Sequence, residues 1–573
     1  MNPIWRKSWP EGLPNTQNYP EVPVWNLLEG SVRRHPDKPC IIFEGTEYSY
    51  ARIWEMVEKC ATALHGLGIG KGDVVAVHMP NCPQFVVAYY GLLRAGATYS
   101  PCNPTLSAKE LTHQLSDCGA RAIFTLDSFA PLIKQIKDST RLETIIVSDI
   151  KEILGQDNPG VFSDLEAGWH RFSRLIAGAS PSPPEVSINP QQDLAHIAYT
   201  GGTTGVSKGV MLTHFNVVAD CLHFVAWFAG GVIEMENGFA RVRQIGEKPG
   251  SDQWEYPMII GDGTAVVVVP LFHAMGINGY LNLPIACGYT IVLHPRLDKT
   301  AYLRDIEKYK ATFIGSAPAL FTQLLSVPEK EKMNLSSVRI ISLGGAPCPV
   351  EVMKRIKAKF PEAVLQEGYG LTEVTMGATS NPVARHSQRK IGAVGLPFFD
   401  TEIKIVDSED GNRELPFGES GEICIRGPQV MKGYLNRPEA TAEVLKDGWL
   451  YTGDIGRIDE DGYLFITDRK KDMLIYKGYN VYPRDLEEVL SQHPAVLTCS
   501  VIGKPDPAVG EIPKAFVVLM EGSQVSEKEI MDFVNERVAP YKKIRELEFI
   551  DNLPISAAGK VLKRVLREMQ ASR

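Results

Sequence analysis

A run rich in glycine and hydroxyl side chains lies between two apolar segments near residue 200. Residues 199–209 read Tyr-Thr-Gly-Gly-Thr-Thr-Gly-Val-Ser-Lys-Gly. Glycines without side-chain bulk let backbone N–H groups turn toward an anion, while hydroxyls and a lysine add donors and positive charge. A flexible linker is disfavoured, because the apolar runs 194–198 and 210–212 flank the segment. It predicts a polyphosphate-binding loop built from Thr200, Gly201, Gly202, Thr203, Thr204, Gly205 and Lys208.

This loop differs from a Walker loop, because the order Gly-Lys-Ser/Thr is absent around Lys208. Elsewhere, Glu373 follows a Gly-x-Thr turn, and carboxylate oxygens are hard ligands that suit Mg²⁺ bound to phosphates. Asp454 lies in a Tyr-Thr-Gly-Asp turn, where a carboxylate can accept both ribose hydroxyls; an Asx-turn is the alternative. By composition alone, His273 is a core histidine and Lys560 a surface lysine.

The elements that carry these residues alternate between helical and strand-like patterns. Six apolar residues follow helical spacing on one face: Ile53, Met56, Val57, Cys60, Ala61 and Leu64. Residues 73–78 then form a short apolar strand, and the strand 339–343 leads through Gly344-Gly345-Ala346-Pro347 into a helix over 350–360. A strand, a glycine turn and a helix are typical of α/β folds, whose ligands bind at the loops beyond the strand ends.

The chain changes character near residue 470. A charge run at 468–472 follows the strand 463–466, and beyond it we expect a helix at 485–490 and strands at 497–502 and 514–520. A further helix opens with the capping box Ser526-x-x-Glu529. The sequence therefore predicts an N-terminal domain over 1–470 and a small α+β domain over 471–573. Residues 229–262 show little periodicity, and we interpret them as an insertion without chemistry.

Composition narrows the class of protein. The chain has 573 residues and a formal net charge of −8, which argues against nucleic acid as a partner. Ten scattered cysteines without metal-ligand spacing indicate reduced thiols in a cytoplasmic protein, and the N-terminus lacks the apolar stretch of a secretion signal. Residues 263–295 carry no Asp, Glu, Lys or Arg and could span a bilayer. Prolines and polar residues interrupt them, so we expect two buried strands, at 266–269 and 290–293, with a loop and helix between.

Seven segments in order resemble the adenylate-forming superfamily, which includes acyl-CoA synthetases, luciferases and peptide-synthetase adenylation domains. They are the loop 199–209 and residues 270–273, 367–373, 418–434, 451–454, 468–472 and 554–560. Together they cover nearly the whole chain. The likeness implies a large multi-subdomain α/β domain followed by a small mobile C-terminal domain. ATP, Mg²⁺ and coenzyme A are the implied cofactor and co-substrates.

The resemblance also implies roles for individual residues. Thr200 and Glu373 match the Mg-ATP site, and Gly345, Ala346 and Pro347 resemble its adenine-side wall. Further nucleotide contacts fall on Gly368, Tyr369, Gly370, Thr372, Asp454 and Arg469, with Tyr369 offering a flat face to adenine. Gln is common where Glu367 stands, so no contact of the Glu367 side chain is expected.

Two mobile groups complete the implied mechanism. The matching histidine, His273, lies beside the acyl carboxylate and gates its channel. The matching lysine, Lys560, swings in to bridge the carboxylate and the α-phosphate as negative charge builds. After adenylation the small domain rotates about Lys471, and the loop Lys477, Gly478, Tyr479 arrives to receive CoA.

Fewer residues bear on the identity of the acyl group. Amino-acid-activating relatives place an Asp just after the histidine, whereas Ala274 and Met275 follow it here, which indicates a plain acid. The likeness is greatest to long-chain fatty-acid–CoA ligases, and Gly276, Ile277, Gly315 and Met376 are expected to line the pocket. Medium-chain and aryl acids are alternative substrates. Two alternative functions are an adenylating enzyme with a carrier-protein thiol as acceptor and a nucleotide-binding protein without turnover. Membrane contact is at most peripheral, and a homodimer is possible.

Overall fold

The computed structural model describes residues 4–152, 166–200, 207–245, 255–325, 327, 332–411, 413–556 and 559–571. As far as residue 230, helices and strands alternate, as the apolar patterns predict. These elements are α1 (Asn26–Arg34), β1 (Pro39–Phe43), β2 (Thr46–Ser49), α2 (Tyr50–Gly66), β3 (Val74–His78), α3 (Pro83–Arg94), β4 (Thr98–Pro101), α4 (Ala108–Cys118), β5 (Ala122–Leu126), α5 (Ala130–Ile136), β6 (Thr144–Ser148), β7 (Trp169–Arg171), α6 (Phe172–Gly178), β8 (Leu194–Tyr199), β9 (Gly209–Thr213) and α7 (His214–Ala229).

The middle of the chain continues the alternation after a hairpin. Its elements are β10 (Gly231–Glu236), β11 (Phe239–Gln244), β12 (Thr264–Val267), a π-helix (Met275–Asn282), α8 (Leu283–Ala286), β13 (Thr290–Leu293), α9 (Lys299–Lys308), β14 (Phe313–Ser316), α10 (Pro318–Leu325), β15 (Ile340–Leu343), α11 (Val350–Lys359), β16 (Val364–Tyr369), β17 (Thr379–Ser380) and β18 (Leu396–Pro397).

Short strands dominate the last third. They and their helices are β19 (Glu402–Val406), β20 (Gly421–Arg426), β21 (Gly433–Tyr434), α12 (Pro438–Val444), β22 (Leu445–Lys446), β23 (Trp449–Ile458), β24 (Leu464–Arg469), β25 (Leu474–Tyr476), β26 (Tyr479–Val481), α13 (Pro483–Ser491), β27 (Val496–Asp506), β28 (Gly510–Leu519), α14 (Glu527–Asn535), β29 (Glu546–Phe549) and α15 (Lys563–Ala571). The predicted capping box of α14 is present, with Ser526 and Glu529 bonded reciprocally.

Two large sheets form the frame. Within the described residues one sheet has the order β18-β17-β16-β15-β14-β12-β13-β1-β2 and the other β21-β9-β8-β4-β3-β5-β6-β7. In the first sheet, β1 and β12 to β16 run parallel to one another. In the second sheet, β3 to β8 are likewise parallel. The carboxyl ends of parallel strands meet at one edge, which is where α/β proteins bind ligands. This α/β architecture confirms the predicted fold class.

Two smaller sheets follow. One contains β19, β20, β22, β23 and β24, and the other contains β25 to β29. The boundary proposed after residue 470 falls between β24 and β25, which belong to different sheets. The final sheet packs α13 and α14 on its own buried cluster, which includes Leu486, Leu490, Ile530 and Val534. Below, we call residues 471–573 the lid.

Residues 229–262 correct one expectation. Their supposed lack of periodicity was wrong, because β10 and β11 form an antiparallel hairpin that closes at Asn237 and Gly238, both with positive φ. Asn-Gly is the preferred two-residue turn for such hairpins. Ile233, Ala240 and Val242 alternate into the core.

The long uncharged segment folds as expected into two strands, β12 and β13, separated by a loop and helix. Among the described helices, none has both the length and the apolar character required to cross a bilayer. All ten cysteines are free, and nine of them are buried.

Candidate active site

The predicted phosphate loop leaves the second sheet at β8 and returns through β9. Tyr199 pairs with Gly209, and Thr200 N–H donates to the Lys208 carbonyl at 3.1 Å. Lys208 N–H lies 3.4 Å from the Thr200 hydroxyl, and Ser207 Oγ donates to the Thr200 carbonyl. The loop is thus closed at its base by strand pairing. Gly201, Gly202, Thr203, Thr204 and Gly205 lie outside the described residues.

Glu373 lies close to the closed base of this loop. It occupies a short 3₁₀ turn (Thr372–Val374) after β16, and Met431 N–H donates to its carbonyl at 2.9 Å. Its side chain accepts a hydrogen bond of 2.8 Å from the Tyr434 hydroxyl. Thr375, which directly follows this turn, has a φ of +65°, which a β-branched side chain adopts only under local strain.

The adenine side is formed by the turns after β15 and β16. Gly345 has a φ of +77°, in the region that favours glycine, as the chain passes through Ala346 and Pro347 toward α11. Tyr369 ends β16 and is flanked by Gly368 and Gly370. A Cβ atom on Gly370 would lie 1.7 Å from the Met376 carbonyl oxygen, so this turn requires glycine.

Asp454 and Arg469 are brought together by pairing of β23 with β24. Arg469 Nε lies 3.3 Å from Asp454 Oδ1, and the Tyr369 hydroxyl donates to Asp454 Oδ2 at 2.6 Å. Burial raises the pKa of Asp454, while the charge of Arg469 and the bond from Tyr369 act against that rise. The proposed ribose carboxylate is therefore linked to the proposed adenine platform, a contact that the sequence does not reveal.

Lys560 lies inside the site. Its loop is closed by the Ser556 N–H, which donates to the Lys560 carbonyl at 2.7 Å, and by the Lys560 N–H, which donates to Ser556 Oγ at 3.2 Å. Gly559 packs so closely on Ala317 that a Cβ atom would approach within 2.7 Å. Burial and the charge of Arg469 lower the pKa of Lys560, whereas the carboxylates of Asp454 and Glu373 act in the opposite direction. These interactions place the ammonium among the nucleotide-site charges.

His273 is neutral in this environment. Burial, assisted by the charge of Lys560, lowers the pKa of His273 to about 3. Its Nδ1 accepts the Met275 N–H at 3.3 Å, so the proton of the neutral imidazole lies on Nε2. His273 therefore contributes a polar group without charge beside Lys560.

A cavity of about 320 Å³ lies under the Lys560 loop. Its walls come from the ends of strands in both large sheets and from the lid, and they include Val268, Phe272, Met275, Leu297, Leu320 and Ile555. Phe272 directly precedes His273 in the sequence, so the cavity lies near the candidate catalytic histidine. A larger open groove of about 560 Å³, beside His65 and Lys71, contains none of the predicted site residues.

The predicted acyl-pocket residues surround the π-helix. Gly276 and Ile277 belong to it, while Gly315 in β14 and Met376 in the loop after Glu373 approach it. A Cβ atom on Gly276 would lie 1.9 Å from the Pro270 carbonyl oxygen, and one on Gly315 would lie 1.9 Å from the Tyr280 hydroxyl. These glycines thus let the π-helix pack closely, and the described cavity begins instead at Phe272 and Met275.

Behind the π-helix lies a buried polar network that sequence reasoning missed. Asp220 on α7 accepts the Gly377 N–H at 3.0 Å and a bond from Asn278, which is linked through Asn282 to Tyr89. Burial raises the pKa of Asp220 to about 8. The network connects the π-helix to the loop that follows Glu373.

The Glu367 side chain makes a contact within the chain, although the resemblance assigned it none. Only 2% of the residue is exposed, and Oε1 accepts the Cys348 N–H at 3.2 Å. Burial raises the pKa of Glu367 to about 7, against the charge of Arg484 and the bond from Cys348; Glu488 raises it further. Glu367 thus joins the strand of Tyr369 to the turn of Pro347.

The lid residues proposed for CoA lie away from this cluster. Lys477 and Gly478, with positive φ, form the turn between β25 and β26, and Tyr479 is 58% exposed. The Tyr479 ring stacks on Tyr541 with centroids 4.9 Å apart. Lys471 is exposed between β24 and β25. The structure therefore has the Lys560 loop inside the site and the Lys477 turn outside it.

The charge run 468–472 is not simply a solvated surface. Asp468 is buried and its Oδ2 accepts the Arg484 N–H at 3.1 Å, and Asp472 forms an ion pair of 2.8 Å with Arg567. The first bond joins the preceding sheet to the lid, and the second lies within the lid. The run therefore joins the lid to the preceding sheet.

Comparisons with known proteins agree with this geometry. The family model described as AMP-binding enzyme matches residues 28–435, and that of the AMP-binding enzyme C-terminal domain matches residues 485–560. A long-chain-fatty-acid–CoA ligase of Bacillus subtilis (strain 168) is 36% identical, over 98% of this chain and 97% of the relative. A 4-coumarate–CoA ligase 2 of Oryza sativa subsp. japonica is 35% identical, over 98% and 94%.

Solved structures are similar over comparable lengths. An anthranilate CoA ligase in complex with anthranoyl-AMP superposes with a TM-score of 0.83 at 25% identity, covering 98% of this chain and 99% of that one. ATP-bound MatB from Rhodopseudomonas palustris gives a TM-score of 0.81 at 29% identity, covering 96% and 99%.

Proposed function

We propose, from the premise that the chain belongs to the AMP-binding family of adenylate-forming acid–CoA ligases, that it converts fatty acids to acyl-CoA. The products would be acyl-CoA, AMP and diphosphate, formed through an acyl-adenylate. The observation that carries this proposal is Lys560, a lid lysine held among Asp454, Glu373 and Arg469. A lysine in that position serves a reaction in which negative charge builds at an α-phosphate.

In the first half-reaction the acid carboxylate attacks the α-phosphorus of ATP and diphosphate leaves. Lys560 would hold the two reacting groups together and stabilise the charge that develops between them. His273, whose pKa is about 3, would border the carboxylate without adding a proton or a charge. Burial around Lys560 and His273 strengthens these electrostatic effects by excluding water.

The oxygen ligands of Thr200 and Glu373 fit Mg²⁺. Among the described residues no group of three or more His, Cys, Asp or Glu side chains could hold a metal, which suits an ion that arrives with the nucleotide phosphates. Mg²⁺ bound there would neutralise phosphate charge during diphosphate release.

In the second half-reaction the CoA thiol attacks the acyl carbonyl and AMP leaves. We propose that rotation about Lys471 withdraws Lys560 and brings the Lys477 turn to the site. The exposed Tyr479 ring, stacked on the partly buried Tyr541 and beside the cationic Lys477, suits the nucleotide end of CoA.

A fatty acid is favoured by two observations. The cavity beside His273 has apolar walls, which include Phe272, Met275 and Leu320. The B. subtilis relative carries a fatty-acid name over almost the same length. An aryl acid is the second candidate, since the 4-coumarate relative is nearly as similar.

The test measures AMP release over a panel of saturated fatty acids and 4-coumarate, with and without CoA. Release that requires CoA and depends on fatty-acid chain length supports the proposal. Preference for 4-coumarate selects the aryl alternative. Adenylate without thioester indicates a different acceptor such as a carrier-protein thiol, and nucleotide binding without diphosphate release indicates a protein without turnover.

A further inference from the structure

Tyr434 contacts two charged residues of the nucleotide site at once. Its hydroxyl donates to Glu373 Oε1 at 2.8 Å, and the Lys208 ammonium lies 4.7 Å from the centre of its ring. The residue is 8% exposed. The carboxylate proposed for the metal and the lysine proposed for the phosphates therefore share one aromatic side chain.

The backbone holds this ring in place from several sides. Strand β21 pairs with β9, with Tyr434 opposite Val210, and Leu435 N–H donates to the Gly209 carbonyl at 2.8 Å. Tyr434 N–H donates to Thr441 Oγ1 at 2.9 Å. Since β9 is the strand that leaves the phosphate loop, the ring is fixed relative to Lys208.

The same segment also fixes the turn of Glu373. Met431 N–H donates to the Glu373 carbonyl at 2.9 Å, three residues before the tyrosine. Residues 431–435 thus bond on one side to the strand after the phosphate loop and on the other to the turn after β16. Tyr434 completes this connection with its side chain.

The arrangement addresses a chemical conflict. A lysine and a carboxylate at close range attract each other, and a direct ion pair would occupy the groups that phosphate and metal need. Here the Lys208 ammonium is attracted to the negative face of the ring, while Glu373 accepts a bond from the hydroxyl at its edge. Within the part of the chain that the structure describes, Glu373 Oε2 and the Lys208 ammonium form no hydrogen bond or ion pair, so both can meet a ligand.

We propose that Tyr434 is a positioning residue that keeps Lys208 and Glu373 apart and oriented, the first toward phosphate and the second toward Mg²⁺. This inference rests on the proposed nucleotide site. It concerns a tyrosine in a short strand, 61 residues from Glu373 along the chain.

The variant Tyr434→Phe separates the two contacts, because it keeps the ring under Lys208 and removes only the hydroxyl. ATP affinity is measured by calorimetry in Mg²⁺ and again in EDTA. We expect the gain in affinity due to Mg²⁺ to fall about tenfold, as for a lost hydrogen bond to a charged group, with affinity in EDTA nearly unchanged. Tyr434→Leu also removes the ring, so binding in EDTA should weaken as well.

Tyr463→Phe is the matched control. Tyr463 is also buried, has Lys390 4.9 Å from its ring centre, and donates its hydroxyl to the Gln388 carbonyl at 2.8 Å. Tyr463→Phe should lose thermal stability comparable to that lost by Tyr434→Phe, and its affinities for ATP in Mg²⁺ and in EDTA should be unchanged. An unchanged Mg²⁺ gain in Tyr434→Phe, or an equal loss in both variants, overturns the inference. A wild-type protein that binds no ATP overturns the proposed function instead.

Discussion

The hydroxyl of Tyr369 donates a hydrogen bond of 2.6 Å to Asp454 Oδ2, joining the end of β16 to strand β23 of another sheet. The other oxygen of Asp454 faces Arg469 at 3.3 Å. The two contacts favour the ionised carboxylate, which burial alone would oppose. The proposed nucleotide contacts on two separate sheets are thereby joined to each other.

Tyr369→Phe tests this alignment. The variant keeps the flat face for adenine but removes the bond that favours the Asp454 carboxylate, so ribose binding should weaken. We expect the dissociation constant for ATP to rise about tenfold. Tyr451→Phe, a partly buried tyrosine on the same strand as Asp454, is the control and should bind ATP as the wild type does. Equal affinities in all three proteins would contradict the assigned role of Tyr369.

Lys560→Ala tests the lid mechanism. Because Lys560 lies among the nucleotide-site charges, the variant should slow acyl-AMP formation by at least about a hundredfold. Thioester formation from supplied acyl-AMP should stay close to wild type, since the proposed rotation withdraws Lys560 for that step. Single-turnover assays measure the two halves separately. Lys528→Ala, which removes an exposed lid lysine, should affect neither; an equal loss in both halves for Lys560→Ala would refute the mechanism.

A contact between the lid and the N-terminal domain allows a second test of the proposed rotation. Glu488 Oε1 on α13 accepts the Val350 N–H at the start of α11, at 3.3 Å, where a helix N-terminus attracts negative charge. The bond joins the lid to the N-terminal domain in the arrangement that has the Lys560 loop in the site, so the proposed rotation would break it. Glu488→Gln weakens it, so acyl-AMP formation should fall by a few-fold while thioester formation is maintained or increases.

Glu527→Gln is the control for that experiment, because Glu527 is an exposed carboxylate on another lid helix, α14. Its ratio of the two half-reaction rates should equal that of the wild type. If Glu488→Gln also leaves the ratio unchanged, the contact has no influence on the position of the lid.

Local patterns could be predicted from the sequence because they depend on near neighbours. The apolar face of α2 is buried at all six predicted positions, and the capping box of α14 is formed. The Asn237-Gly238 turn was a readable signal as well, although we missed the hairpin around it. In each case the residues involved lie within one element or one turn.

Contacts between distant segments could not be predicted in this way. No periodicity relates Tyr434 to Glu373, or Tyr369 to Asp454, which are 61 and 85 residues apart. All four residues lie in the family motifs, which gave roles to Glu373, Tyr369 and Asp454 but indicated none of the bonds between them. Such bonds depend on how separate sheets pack, and the buried Glu367 is another example.

Glu367 leads to a prediction about stability and pH. Burial raises the pKa of Glu367 from an ordinary 4.5 to about 7, and the charged or titratable groups facing it are Cys348, Arg484 and Glu488. A raised acid pKa means that the fold prefers the protonated form. Its stabilising effect is complete below about pH 4.5 and is lost as the pH rises through about 7. At about 1.4 kcal/mol per pH unit, the loss is at most about 3 kcal/mol.

Glu367→Gln keeps the shape and an oxygen acceptor for Cys348 N–H but cannot ionise. Thermal unfolding of variant and wild type is compared at about pH 5 and about pH 8. At about pH 8 the melting temperature of the variant, relative to that of the wild type, should be several degrees higher than at about pH 5. The reason is that only the wild type must bury a charge at the higher pH. Glu362→Gln, at an exposed carboxylate close before β16, should show no such pH-dependent gain. A gain for Glu367→Gln that is the same at both pH values would mean that Glu367 does not titrate in this range.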